Sequence, residues 1–296
     1  MNPTARPLDA FAVCVTVTLC LFWGFNQVSV KLALPEIPPL TQAAIRSVGA
    51  ALLVWAYAVA RGVSLTRRDG TLWPGFWAGV LFGLEFLLIY PGLLWTTATR
   101  AVLFIYLAPF FVVLGARWFL PADRFVPSQW AGLVLSFAGM LVAFGLPTPA
   151  ADPRQIVGDI MMVLAAAAWA ATTLVIKASA LNRAPFEKAM MYQLVVSASM
   201  FVLGAAFFGE RMAPMPSALA LGALAYQTLW IVPVTFVVWF ALIQRYSASR
   251  LSAFTFLTPI FGVAAGHLVL GEPLTLAFAA AVALVAAGLV LVNRPR

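Results

Sequence analysis

The chain has 296 residues, of which 63% are hydrophobic and only 9% charged. No soluble domain hides that much apolar surface, and lipid is the solvent that makes it tolerable. A net charge of +8 would suggest nucleic acid in a soluble protein; here the basic residues lie between apolar runs, where they face anionic lipid at ~1 kcal/mol each, and no nucleic-acid partner is expected.

Apolar windows of about 20 residues cross a bilayer as helices, because a helix satisfies its own backbone. The first such run, 9–31, has the look of a leader peptide. It carries Asn26, Gln27 and Lys31, and it has a counterpart in mid-chain that no cleavage removes, so it counts as span one. Its two cysteines, Cys14 and Cys20, lie six residues apart with no partner ligands nearby, which fits packing thiols rather than a disulfide or a metal site. Spans two to five follow at 41–61, 73–95, 99–120 and 127–145. Spans six to ten fall at 157–178, 186–208, 217–245, 250–270 and 273–293. Pro and Gly punctuate the short connections: Pro35, Pro38 and Pro39; Gly70; Pro121; Pro214 and Pro216. Span eight is long and holds Pro233, so a tilt or break is expected in it.

The lysines and arginines orient these spans. Thirteen fall on one face: Arg6, Arg61, Arg67, Arg68, Arg117, Arg124, Lys177, Arg183, Lys188, Arg245, Arg250, Arg294 and Arg296. The other face receives five: Lys31, Arg46, Arg100, Arg154 and Arg211. Both termini are therefore expected in the cytoplasm. Trp73, Trp77, Trp118 and Trp130 fall at the basic ends of their spans and suit an interfacial belt.

The sequence also contains itself twice. At an offset of 146, Trp23, Lys31 and Pro39 land on Trp169, Lys177 and Pro185. At an offset of 150, Ala98, Arg100, Phe104, Leu107, Pro109, Phe111 and Val113 land on Ala248, Arg250, Phe254, Leu257, Pro259, Phe261 and Val263. Seven matches in 16 residues exceed the roughly one or two that ordinary residue frequencies supply. The reading is an all-α membrane protein of ten helices: a first five-helix repeat over 1–146, a linker over 147–156 and a second repeat over 157–296. Five is odd, so the second copy enters from the opposite side. Two inverted copies can each adopt the other's conformation, which is the geometric basis of alternating access.

The pattern resembles the EamA-type carriers of the drug/metabolite transporter superfamily, most like the bacterial aromatic amino-acid exporters. The residues that carry the likeness are Trp23-Gly24 with Trp169-Ala170, the turns Thr96 to Arg100 and Tyr246 to Arg250, and Leu107-Ala108-Pro109 with Leu257-Thr258-Pro259. Gly271-Glu272-Pro273-Leu274 is typical of the family, whereas the first half reads Pro121-Ala122-Asp123-Arg124 there. The resemblance implies a central cavity among spans one to four and six to nine, with spans five and ten outside it. Span five offers Gly132, Ser136, Gly139 and Ala143 at small-residue spacing, a surface for close packing or for pairing two copies through spans five or ten.

Candidate site residues lie at mid-membrane. Glu85 is within two residues of the centre of span three, where an ionised carboxylate costs ~2.5–3.5 kcal/mol on insertion scales. Water, a bound proton or a cation such as Arg46 must offset that. Gly75, Gly79 and Gly83 form a stripe on the same helix, and Glu85 lies about 200° around from the last, pointing inward if the stripe packs on a neighbour. Asn26-Gln27 and Thr172-Thr173 follow Trp23 and Trp169 by three and four residues, putting ring and polar group on one face. Trp230 also lies too deep for the belt, and Tyr90, Tyr106 and Tyr226 join as further cavity candidates. Rings beside hydrogen-bonding groups suit a ligand apolar at one end and polar at the other. Pro109 and Pro259 occupy matched mid-span positions and are expected to be the bending points of the motion.

One histidine, no acidic cluster and no sizeable loop give no basis for a catalytic centre, a metal site or a cofactor. Inverted duplication favours a carrier over a channel. The sodium-coupled symporter fold, also five plus five, wants unwound, Gly-rich first and sixth helices; Gly24 alone gives it little support. Two substrate classes fit: aromatic or large apolar amino acids, exported across the inner membrane, and lipophilic cations with Glu85 as counter-ion and a proton in exchange.

Overall fold

The structure, a computed structural model, describes residues 6–146, 152–271, 274 and 276–294. Residues 147–151 of the expected linker, Glu272, Pro273 and Arg296 lie outside the described residues. Ten helices there are long and apolar enough to cross a membrane: Ala10–Ala33, Pro39–Ala60, Leu72–Gly92, Ala98–Phe119, Pro127–Phe144, Pro153–Ala178, Phe186–Phe207, Ala218–Arg245, Ala248–Leu270 and Leu276–Asn293. They are spans one to ten, within a few residues of the bounds expected from sequence.

Local chemistry sets their ends. The Asp9 carboxylate accepts from Ala12 N at 2.8 Å and caps span one. Thr97 and Ser247, residues matched by the internal repeat, cap spans four and nine by accepting from Arg100 N and Arg250 N at 3.3 and 3.1 Å. Proline opens spans two, five and six, where its missing N–H costs nothing. Gly271 closes span nine at φ 70, a left-handed conformation that glycine adopts freely.

Small residues decide which helices touch. Gly75, Gly79 and Gly83 face Tyr192, Val196 and Met200, so the stripe on span three seats span seven. Gly24 sits so close to span nine that a Cβ there would meet the Gly262 backbone at 2.7 Å. Its repeat mate Ala170 packs on Val112 of span four. Gly132 and Gly139 of span five fit against Gly288, Val285 and Ala281 of span ten. That small-residue surface is thus filled within one chain. Span one packs on eight and nine, span three on six and seven, span four on six, and span two on seven and eight.

Spans four and nine are broken rather than bent. Helix stops at Ile105 and restarts at Ala108; it stops at Phe254 and restarts at Leu257. Pro109 and Pro259 lie in the first turn of the second piece, one tight turn beyond the break. Each proline has no N–H to offer the carbonyl four residues back, and the chain takes up the slack in an i→i−3 turn, with Leu107 N to Phe104 O at 3.1 Å and Phe256 N to Ala253 O at 3.3 Å. Span eight stays continuous around Pro233 by widening into a π-helix over Tyr226–Phe236.

The two ends of the bundle differ. At the end holding Arg6, Arg124 and Arg245, cross-links gather, some within the second half and some between the two. Lys177 Nζ donates to the carbonyls of Ile243 and Gln244 at 2.5 and 3.0 Å. Gln244 Nε2 donates to Leu181 O and Ala184 O at 2.9 and 3.0 Å. Asp123 accepts from the Ser247 hydroxyl and from Ser249 N, and its burial raises its pKa. Asp69 accepts from Thr71 and from Lys188 Nζ, both its oxygens lying 2.9 Å from the ammonium. These bonds, Thr71 first, hold its carboxyl down at about 2. At the opposite end Arg100 pairs with Asp159, which also accepts from Thr96 Oγ1 at 2.6 Å; that clasp ties span four of the first half to span six of the second.

Candidate functional site

A cavity of about 410 Å³ lies among spans one to four and six to nine, within the usual range for small-molecule sites. Helical periodicity places its walls. Span one presents Trp23, Asn26, Gln27 and Val30; span three presents Phe82, Glu85, Phe86, Ile89 and Tyr90. Tyr106 enters at the break in span four. Trp169, Thr172 and Thr173 enter from span six, one turn apart. At one end the cavity reaches Leu93 and Ala98, beside the connection between spans three and four. The cross-linked end lies opposite.

The rings are fixed by one another. Trp23 stands edge-on to Trp239 at 5.2 Å and to Phe236 at 5.9 Å, and its Nε1 donates to Thr235 Oγ1 at 2.9 Å. Tyr106 meets Trp169 edge-on at 5.9 Å. Such pairs hold a shape better than aliphatic side chains, whose packing is not directional.

The polar groups divide in two. Thr172 and Thr173 donate to the carbonyls of Ala168 and Trp169 on their own helix, at 2.9 and 3.2 Å, which leaves their oxygens as acceptors only. Asn26 Oδ1, Gln193 Oε1 and Thr258 Oγ1 are buried without a hydrogen-bond partner, and all three residues line the cavity. Glu85 and Arg46 are 9% and 4% exposed. The ion pairs among the described residues are Arg100–Asp159 and Lys188–Asp69, so the structural Glu85–Arg46 bridge weighed from sequence is not formed. Arg46 instead lays its guanidinium over the Phe86 ring, 4.6 Å from the centroid.

The cavity gathers Trp23, Asn26, Gln27, Glu85, Tyr90, Tyr106, Trp169, Thr172 and Thr173. Tyr226 and Trp230 lie outside it, which corrects the expectation for both. Tyr226 donates to Phe22 O at 3.3 Å and lines an outer apolar crevice between spans one and eight. Trp230 is 40% exposed and stands edge-on to Phe22 at 5.4 Å. The wider π turn rotates this stretch away from the register of a 3.6-residue helix. Sequence reasoning missed Arg46 as a wall residue, with Gln193, Phe236, Trp239 and Thr258. Trp239 had a usable signal, since it lies six residues inside its span, as deep as a non-belt tryptophan should. Among the described residues no group of His, Cys, Asp or Glu is arranged to hold a metal.

The sequence pattern of the EamA-like transporter family matches twice, over residues 10–145 and 156–294. The chain is 27% identical to the uncharacterized transporter YvbV of Bacillus subtilis, over 93% of this chain and 89% of that one. It is 26% identical to a protein of Salmonella typhimurium named as a probable amino-acid metabolite efflux pump, over 95% and 93% of the two chains. It is 20% identical to the uncharacterized inner membrane transporter YedA of Escherichia coli K12, over 87% and 82%. Among solved structures, one protein crystal structure superposes with a TM-score of 0.82 at 20% identity, covering 96% of this chain and 98% of the other, so the two share a fold.

Proposed function

This chain belongs to the EamA-like transporter family, and from that premise we propose that it is an inner-membrane carrier that exports small amphiphilic metabolites, above all aromatic or large apolar amino acids, by alternating access. The observation that carries the reading is the cavity wall. Trp23, Tyr106, Trp169 and Trp239 supply a ring-lined surface, while Asn26, Gln27, Thr172, Thr173 and Gln193 put polar side chains in the same wall. A ligand with a flat apolar body and a polar head answers both. The Salmonella relative's name supports the same class.

The mechanism follows from two halves lying upside down to one another. Supporting this, the helix contacts map onto themselves when spans one to five are exchanged with six to ten: one against nine becomes six against four, and three against six becomes eight against one. The family pattern matching twice supports it too. By the excess of Lys and Arg, the cross-linked end faces the cytoplasm. The cavity reaches the other end, at Leu93 and Ala98, so this conformation faces outward. The Asp123–Ser247 and Asp69–Lys188 contacts, which join the halves, then form the inner gate, which must part for substrate to enter from the cytoplasm. The carrier is reversible, and the gradient sets the direction.

A lipophilic-cation carrier with Glu85 as counter-ion is the second reading, favoured by a buried carboxylate in the wall. Arg46 in the same wall opposes it, because a cation entering there meets a like charge. The deciding experiment is a substrate panel on purified protein in vesicles, with and without a proton gradient. Saturable uptake of aromatic amino acids supports the first reading; uptake confined to hydrophobic cations overturns it.

A further inference from the structure

Arg46 and Glu85 are the charged side chains of the cavity wall. Each is buried, on spans two and three, at a depth where charge is costly and needs an opposite partner. The cheapest arrangement would join them directly. They do not join: neither appears in an ion pair among the described residues. Stacking on Phe86 holds the Arg46 guanidinium in place. A planar guanidinium matches a carboxylate in a two-pronged fashion. What remains is a slot with a guanidinium at one end and a carboxyl group at the other, bordered by Asn26.

We propose that this slot is a clamp for the zwitterionic head of a free α-amino acid, Arg46 taking the carboxylate and Glu85 the ammonium, with the side chain against the aromatic wall. This rests on the transport reading above and sharpens it from amphiphiles in general to free amino acids. An α-amino acid carries both charges on one carbon and neutralises both wall residues at once. An amine leaves Arg46 unanswered and repels it. A carboxylic acid does the same to Glu85.

The test is competition against labelled L-phenylalanine in vesicles, with phenethylamine and 3-phenylpropionate as the matched molecules lacking one head group. With the unaltered protein, both compete at least tenfold more weakly than unlabelled L-phenylalanine. In Arg46→Gln the amine gains on the amino acid by tenfold or more; in Glu85→Gln the acid does. The unaltered protein decides the matter alone if a variant fails to fold. Equal or better competition by the amine or by the acid overturns the clamp while leaving amino-acid transport standing. Failure of every free amino acid in the substrate panel overturns the clamp and the transport reading together.

Discussion

At the scale of single residues, the cavity is a set of rings that hold each other and a few polar atoms that hold nothing. Trp169 stands edge-on to Tyr106 inside that wall. Aromatic pairs are worth about 0.5–1.5 kcal/mol beyond area burial. Trp169→Ala should therefore weaken aromatic amino-acid binding by roughly two- to tenfold, with protein levels in the membrane unchanged; unaltered half-saturation in vesicle uptake would count against a wall role. Trp23, Asn26 and Gln27 were legible because three- and four-residue spacing in an apolar helix puts ring and amide on one face. Glu85 was legible because a carboxylate at mid-membrane needs a reason. Arg46 was half legible: its sequence position marked it as a partner for Glu85, but not that the two would stay apart around a cavity. Tyr226 and Trp230 were misplaced because a π turn changes the face a residue presents, and nothing in local composition announces one beyond Pro233.

Helices and their contacts are the next scale. Gly288 of span ten lies against Gly132 and Ser136 of span five, so any added side chain meets backbone. Gly288→Leu should cost about 1–3 kcal/mol, as overpacking does, seen as a lower melting midpoint in detergent; an unchanged midpoint would mean that the two spans are not tightly seated. The breaks in spans four and nine make a prediction of another kind. Pro109→Ala and Pro259→Ala restore a backbone donor just past each break, so a continuous helix becomes available. Turnover should fall several-fold while binding affinity stays; turnover equal to that of the unaltered protein would remove the prolines from the motion. Outside the membrane, the low pKa of Asp69 means that its contacts with Thr71 and Lys188 contribute fully above the ordinary carboxylate value of 3.8 and fade as pH falls towards about 2. Asp69→Asn should flatten stability in that window, as an acid titration of the melting midpoint would reveal. The ten spans were legible from length and hydropathy alone. Proline positions marked spans four, eight and nine as irregular, but whether a proline bends, breaks or widens its helix depends on the neighbours, which sequence does not show.

For the whole molecule, the claim is that two related halves, opposed in direction, open one cavity to each side in turn. In this conformation the end with Asp69 and Asp123 is bridged between the halves through Lys188 and Ser247, and the cavity reaches the end with Leu93 and Ala98. Reciprocal motion is the property that separates such a carrier from a channel or a static binding protein. Pulsed electron paramagnetic resonance on two spin-label pairs reads it directly: Arg68 with Arg245, one from each half, across the bridged end, and Trp95 with Leu219 across the other. The account predicts that adding L-phenylalanine lengthens the first distance in the same population in which the second shortens. Both distances changing in the same sense, or neither changing while substrate crosses the membrane, would contradict it.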